Sequence, residues 1–115
     1  MPFSPPPGHD PAMEQLEQTA TLWRWTGGNG GSWYFVTFGG EVAEALSATR
    51  LMRRLESGRA TGFGSIRVRA RIGGSGWETS VFPQKDGSWI LPVKAPVRRA
   101  EGLAEGQEVH CRLEF

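Results

Sequence analysis

The sequence predicts a mainly β fold: a small barrel of about six to seven strands with one long and one short α-helix. Three observations carry that expectation. Residues 65–72 alternate strictly between apolar and polar side chains, the period of a half-buried strand. Residues 76–115 read strand, turn, strand, Pro break, short basic helix, Glu-Gly turn, strand, which describes half of a small barrel. A weaker version of the same order runs earlier in the chain, so two such units would close a barrel and leave few free edges.

The elements follow in order. Residues 1–12 hold five prolines and Gly8. Proline fixes φ and removes a donor, so residues 1–13 are expected as a disordered or polyproline-like tail, with one β-barrel domain over 14–115. The Pro5-Pro6-Pro7 run is also a possible ligand for an aromatic groove. Glu17 to Trp25 is strand-like, with Thr19, Thr21, Trp23 and Trp25 on one face and Ala20, Leu22 and Arg24 on the other; the pattern does not say which face is core. Gly27-Gly28-Asn29-Gly30-Gly31 turns the chain into a second strand, Ser32 to Phe38.

Glu41 to Ser57 carries the long helix. Val42, Ala45, Leu46, Thr49 and Met52 fall at helical spacing, and Leu51 and Leu55 widen the stripe. Glu41 and Glu44 near its start and Arg50, Arg53 and Arg54 toward its end suit the helix dipole, and Gly58 is a natural stop. In Ser65 to Ile72 the apolar face is Ile66, Val68, Ala70 and Ile72. A four-residue turn, Gly73-Gly74-Ser75-Gly76, would set Ile72 opposite Trp77 and Arg71 opposite Glu78. Asp86-Gly87 marks the next turn, before a strand at 88–93. A short helix from Pro96 to Glu101 ends at Gly102, and Glu105-Gly106 leads into the last strand, Gln107 to Phe115. The Ser32-Trp33 and Ser88-Trp89 pairs, each followed by a helix and a strand, suggest a duplicated strand, strand, helix, strand unit.

At 115 residues the chain can bury roughly two-thirds of its unfolded surface, enough for one core. The net charge is +1, and residues 19–115 carry 13 basic against 9 acidic side chains, far from a dense nucleic-acid-binding stripe. Cys111 is the single cysteine, which excludes an intrachain disulfide and a CxxC zinc site. No apolar run approaches a membrane span, and the N-terminus lacks a signal-peptide pattern, so a soluble, cytoplasmic protein is expected.

Several segments resemble the bacterial family designated domain of unknown function 1905. They are Leu22-Trp23-Arg24-Trp25, Gly31-Ser32-Trp33-Tyr34-Phe35-Val36-Thr37, Gly62 to Val68, Trp77-Glu78-Thr79-Ser80-Val81-Phe82-Pro83 and Leu91 to Gly102, in order over about residues 19–115. The resemblance implies a small double-split β-barrel and no established activity. It also implies a possible partner domain of the YdeI/OmpD-associated type. Phe38-Gly39 stands where a Leu-Pro is expected before the long helix, and Leu51 to Arg59 is longer than usual. Leu91-Pro92, Val97-Arg98, Glu105-Gly106 and Val109 are similar to the half-barrel pattern of AbrB/MazE-like transcription factors, a likeness of fold alone.

Candidate site residues fall into three groups. Arg67, Arg69 and Arg71 project from one strand face about 6.7 Å apart, a row that could follow an anionic backbone or simply be solvated beside Glu78 and Glu114. Lys94 and Arg98, with Arg99, flank the short helix and could grip phosphate or carboxylate, or favour a helix C-terminus. The aromatics Trp23, Trp25, Trp33, Tyr34, Trp77 and Trp89 could line a ligand pocket or stack on bases, with Trp77 and Trp89 read as core and Trp23 and Trp25 the ligand-binding candidates. Gly62-Phe63-Gly64-Ser65 lacks the ending of a phosphate loop and reads as a turn. Val109, Cys111, Leu113 and Phe115 form an apolar face, which makes Cys111 a core thiol and His110 a surface residue. No cofactor and no metal site is expected, since no cluster has ligand spacing and no nucleophile, base and orienter assemble.

Three function classes remain, in order. The first is a binding module for an anionic or aromatic small ligand or peptide, using the barrel mouth. The second is a weak nucleic-acid binder through the Arg67/Arg69/Arg71 face, and the third an enzyme whose site the sequence does not name. The chain is expected to be a monomer, with a dimer possible.

Overall fold

The computed structural model describes residues 14–57 and 64–115. The Pro-rich tail, Gly58, and Gly62 and Phe63 of the Gly62-Phe63-Gly64-Ser65 turn lie outside them. Seven strands, β1 (Gln15–Thr21), β2 (Trp23–Thr26), β3 (Ser32–Phe38), β4 (Ile66–Ile72), β5 (Ser75–Pro83), β6 (Trp89–Pro92) and β7 (Glu108–Glu114), accompany two helices, α1 (Gly40–Ser57) and α2 (Ala95–Glu101). Every ladder is antiparallel, and the order is β1-β7-β4-β5-β6-β3-β2.

Two strands pass from one half of the sheet to the other. The expected strand Glu17 to Trp25 is in fact two, split at Leu22. β1 pairs with β7 and β2 with β3, so the ends of the strand order are consecutive pieces of chain. Leu22 has no exposed surface, and its backbone bonds the final turn instead, from its N–H to Gln107 O (2.9 Å) and from Gly106 N–H to its carbonyl (2.8 Å). β5 makes the same passage: residues 75–81 pair with β4, and Phe82 and Pro83 pair with β6. Strands that change sheet at corners let a curled sheet enclose a core.

The pairing obeys a pseudo-twofold. The β1–β2 run, β3, α1 and β4 occupy the places of β5, β6, α2 and β7 in the ladders. The repeated order of elements is present in the ladders, but the Ser-Trp alignment is off by one residue. Trp33 is 46% exposed and Trp89 only 1%, so they lie on opposite sheet faces. Helix starts Gly40 and Ala95 match when Val36 is set on Leu91, Phe38 on Val93 and Val42 on Val97, all buried. A one-residue slip reverses every side chain, which is why a matched Ser-Trp dipeptide misleads here.

The β4–β5 turn also differs from expectation. Ile72 faces Ser75, Ala70 faces Trp77 and Arg69 faces Glu78, so Gly73-Gly74 alone form the turn, with Gly73 at φ 57°. The shift is two residues, so each side chain keeps its expected face. Glu101 of α2 braces this turn, accepting from Ser75 Oγ (2.7 Å) and Gly74 N–H (3.4 Å).

The core is Leu22, Val36 and Phe38 with Ile66, Val68, Ala70, Ile72, Trp89, Leu91 and the inner residues of β7. α1 inserts Val42, Ala43 and Leu46, and Ser47 Oγ accepts from Trp89 Nε1 at 3.0 Å. The apolar stripe of α1 is only half used: Leu51, Met52 and Leu55, read as its continuation, are exposed. α2 buries Val97 and ends at Gly102 in the left-handed conformation (φ 64°). Trp77 packs against the core only partly buried, and its Nε1 is enclosed without a hydrogen-bond partner. No helix among the described residues is long and apolar enough to cross a membrane.

Candidate functional site

The outer surface of the curled sheet divides into two chemically opposite faces. Register decides their content, because residues directly opposite on paired strands share a face.

The first face spans β2, β3, β6 and the end of β5. One row is Trp23, Phe35 and Pro92; the next is Thr37, Ile90 and Phe82; Trp25 faces Trp33 beyond them toward the β2–β3 turn. None of these side chains is charged. Trp25 and Trp33 are 51% and 46% exposed and Phe82 37%, while Trp23, Phe35, Ile90 and Pro92 are half-buried against one another. The aromatic rings pair across strands: Trp23 and Phe35 have centroids 5.0 Å apart at 33°, Trp25 and Trp33 5.2 Å apart at 45°. Trp23 is oriented by its Nε1, which donates to Thr37 Oγ1 at 2.8 Å. The indole N–H groups of Trp25 and Trp33 have no partner among the described residues.

Local chemistry explains the placement. Asn29 Oδ1 accepts from Gly31 N–H (3.0 Å) and Gly30 sits at φ 85°, so the tight turn sets Trp25 against Trp33. Trp23, Trp25 and Trp33, named from sequence, are therefore joined by Phe35, Phe82, Ile90 and Pro92. The Trp25–Trp33 pairing is foreshadowed by two short aromatic alternations flanking a Gly-rich turn. The contributions of β5 and β6 come from strands 82–92, which nothing local links to Trp23.

The second face belongs to β1, β7, β4 and β5. Arg67, Arg69 and Arg71 are co-facial and exposed, as their alternation predicts. Arg69 lies between Glu78, its ion-pair partner at 3.6 Å, and Glu114. Arg71 faces Arg112 on one side and Gly76 on the other, and Arg67 faces Ser80; neither has an ion pair among the described residues. Glu17 gathers Arg112 Nε (3.3 Å) and His110 Nε2 (3.4 Å), and hydrogen bonds from His110 and then Arg112 hold its carboxyl below the usual range. The face thus mixes four arginines with Glu17, Glu78, Glu108 and Glu114.

Lys94 and Arg98 do not act as a pair. Lys94 is exposed at the N-cap of α2 and makes no capping bond. Arg98 is committed to the fold: Nη1 donates to Val93 O at 2.6 Å, and the guanidinium carbon lies 3.8 Å from the centre of the Tyr34 ring. The barrel interior is filled by core side chains. A surface groove of about 430 Å³ lies between the start of α1 and the β5–β6 turn. Its lining includes Gly39, Gly40, Ser47 and Ser88, and its charged side chains are Glu44 and Asp86. Asp86 holds the turn by accepting from Ser88 Oγ (2.6 Å) and N–H (2.9 Å), which lowers its pKa. Cys111 is buried, which pushes its thiol up to about 12, and His110 is exposed on β7. No group of three or more His, Cys, Asp or Glu among the described residues could hold a metal ion.

No curated protein matches the chain. A family model described as domain of unknown function (DUF1905) matches residues 19–113, from the middle of β1 to the end of β7 and so across both sheet faces. That span includes residues of all seven strands and both helices, and the chain belongs to the DUF1905 family.

Proposed function

We propose that this domain is a binding module whose ligand-contacting surface is the aromatic outer face of β2, β3, β6 and β5. One observation carries the reading: Trp25 and Trp33, paired across strands and about half exposed, head a continuous face of seven apolar side chains. Exposing so much tryptophan to water is unfavourable by ~25 cal/mol per Å² of apolar surface, and contiguous patches of this kind mark interaction sites. Tryptophan supplies large contact area at low conformational cost, with an N–H at the rim for orientation.

The ligand class that fits is uncharged and apolar or aromatic, a planar small molecule or an extended peptide. An anionic ligand would depend on Lys94, the exposed and extended residue that follows Val93 toward Trp33 at the margin of the face, because Arg98 is engaged by Val93 and Tyr34. The Arg67, Arg69, Arg71 row supports nucleic-acid binding weakly, since interleaved glutamates offset its charge and would repel phosphate.

The test is a peptide-array and small-aromatic screen read by indole N–H NMR on the full chain, repeated with Trp25→Ala and Trp33→Ala. Hits that perturb Trp25 and Trp33 and vanish in both variants are expected. Hits that map to the arginine row or the Glu44/Asp86 groove, or that survive both substitutions, would sink the reading.

A further inference from the structure

Resting on that reading of the aromatic face, we propose that the face is completed by a second copy of this chain, paired antiparallel along the open edge of β2 with Trp25 opposite the partner's Trp25.

The open edge follows from the direction of the backbone groups. Successive residues of a strand turn their N–H and C=O to alternate sides. Gly27 N–H bonds Gly31 O (2.8 Å) on the β3 side, so Trp23 and Trp25 address β3 as well. Leu22 addresses the other side, where its N–H meets Gln107 O and its carbonyl meets Gly106 N–H. Arg24 and Thr26 share that side, but the chain has turned away there: Gln107 N–H closes a turn on Ala104 O (3.1 Å). Arg24 and Thr26 have no backbone partner on that side among the described residues, both are exposed, and β2 ends the strand order. Unpaired edge groups of this kind are a template for another strand.

This edge is complementary to itself. A twofold axis through Trp25 sets Arg24 against the partner's Thr26 and Thr26 against the partner's Arg24, so each pair exchanges both N–H···O bonds. Trp25 then meets the partner's Trp25 at a non-hydrogen-bonded position, where Cα atoms approach to ~4.5 Å and side chains are nearest. Sliding two residues one way opposes Arg24 to the partner's Arg24 and asks bonds of Leu22 that are already made. Sliding two residues the other way puts Trp25 against the partner's Gly27 and leaves the indoles in water.

Ring direction fits the first register. A Cβ on Gly27 would lie 3.1 Å from Trp25 Cζ3, so this indole leans along its own strand toward the β2–β3 turn. In an antiparallel pair the two Trp25 rings lean opposite ways, each toward the other copy's Trp23, and do not collide. The result is one row, Trp33, Trp25, the partner's Trp25 and the partner's Trp33, at the ~4.8 Å spacing of paired strands. Both copies thus contribute to the ligand-contacting surface. The contact is one short edge and one indole per copy, well under the ~800 Å² per partner of a stable interface, so the pair forms reversibly with a Kd on the order of 10–100 µM.

The experiment is sedimentation velocity on the full chain at ~5 and ~500 µM, bracketing that Kd, with Thr26→Pro as the test variant and Thr26→Ser as its control. Proline deletes an N–H that faces the open edge and leaves the β2–β3 ladder whole. The parent and Thr26→Ser should pass from monomer to dimer between the two concentrations, and Thr26→Pro should stay monomeric at both. The indole signal of Trp89, held by Ser47, reports that the variant's core is intact. Amide exchange of the parent answers without any variant: Arg24 and Thr26 should exchange more slowly in the concentrated sample. A parent that is monomeric at the higher concentration, a dimer that survives Thr26→Pro, or one that leaves both amides unprotected would overturn the pairing. The screen above, repeated on Thr26→Pro, separates the two readings. Hits on Trp25 and Trp33 beside a monomeric parent end the pairing and leave the ligand reading; a β2-paired dimer without hits does the reverse.

Discussion

Replacing Gly73 by alanine should destabilise the domain by roughly 2–3.5 kcal/mol, through two separable causes. Gly73 forms the two-residue β4–β5 turn at φ 57°, where an L side chain costs ~1–2 kcal/mol. Its Cβ would also overlap Glu101 Oε1. The carboxylate is the end of a flexible side chain and can swing away, so the overlap costs little in itself. What is lost is its grip on Ser75 Oγ and Gly74 N–H, about 1–1.5 kcal/mol for this partly exposed pair of hydrogen bonds. Urea denaturation of four proteins separates the causes: the parent, Gly73→Ala, Glu101→Ala and the double variant. In the Glu101→Ala background the turn substitution should cost only the backbone part, leaving a coupling of ~1–1.5 kcal/mol. Equal costs of Gly73→Ala in both backgrounds would refute the bracing role of Glu101. A cost under ~0.5 kcal/mol in either would refute the turn geometry itself.

Arg98→Lys should lose about 1–3 kcal/mol in thermal or urea melts, nearly as much as Arg98→Ala, because a lysine cannot both reach Val93 O and lie flat on Tyr34; full rescue by lysine would refute the stacked geometry. Cys111, its thiol raised to about 12 by burial, should resist a thiol reagent at pH 8 and react promptly only in denaturant. Because the unfolded thiol ionises near 9 and the folded one later, Cys111 should also erode stability as pH rises above about 9, an effect that Cys111→Ala removes from the alkaline limb. Glu17 runs the other way: its lowered folded pKa contributes stability above the ordinary 4.5 that disappears as pH falls through the folded value, so Glu17→Gln should flatten the acid limb of the stability profile.

Local pattern made much of the fold legible. Strict alternation in 66–72 and 109–115 identified the two strands that bury the core, and Gly102 and Gly106 mark where α2 ends and β7 begins. The interval from Glu41 to Ser57 reads as a helix because its apolar spacing and charge order agree, and the helix runs from Gly40 to Ser57. What escaped depends on pairing partners. Leu22 looks like any residue inside a strand, and only the bonds to Gly106 and Gln107 show that the chain changes sheet there. Leu51, Met52 and Leu55 continue the helical stripe, yet α1 outruns the core that Val42 and Leu46 reach. The aromatic face is assembled from four strands, so Trp23 and Trp25 could be flagged singly while Phe82, Ile90 and Pro92 could not be placed beside them. Arg98 looked like a free cation because nothing in sequence links it to Tyr34, sixty-four residues away.

The twofold equivalence of the ladders has a consequence for assembly. Each half of the chain presents to its other half the same edges that it would present to the matching half of a second molecule. Exchange of halves between two molecules would conserve the β1–β7, β4–β5, β4–β7 and β3–β6 ladders. Only the Gly73-Gly74 connection, two residues long, decides whether β5 folds back on its own β4 or on a neighbour's. Straining that short hinge therefore favours an exchanged pair of chains, and lengthening it favours the closed monomer.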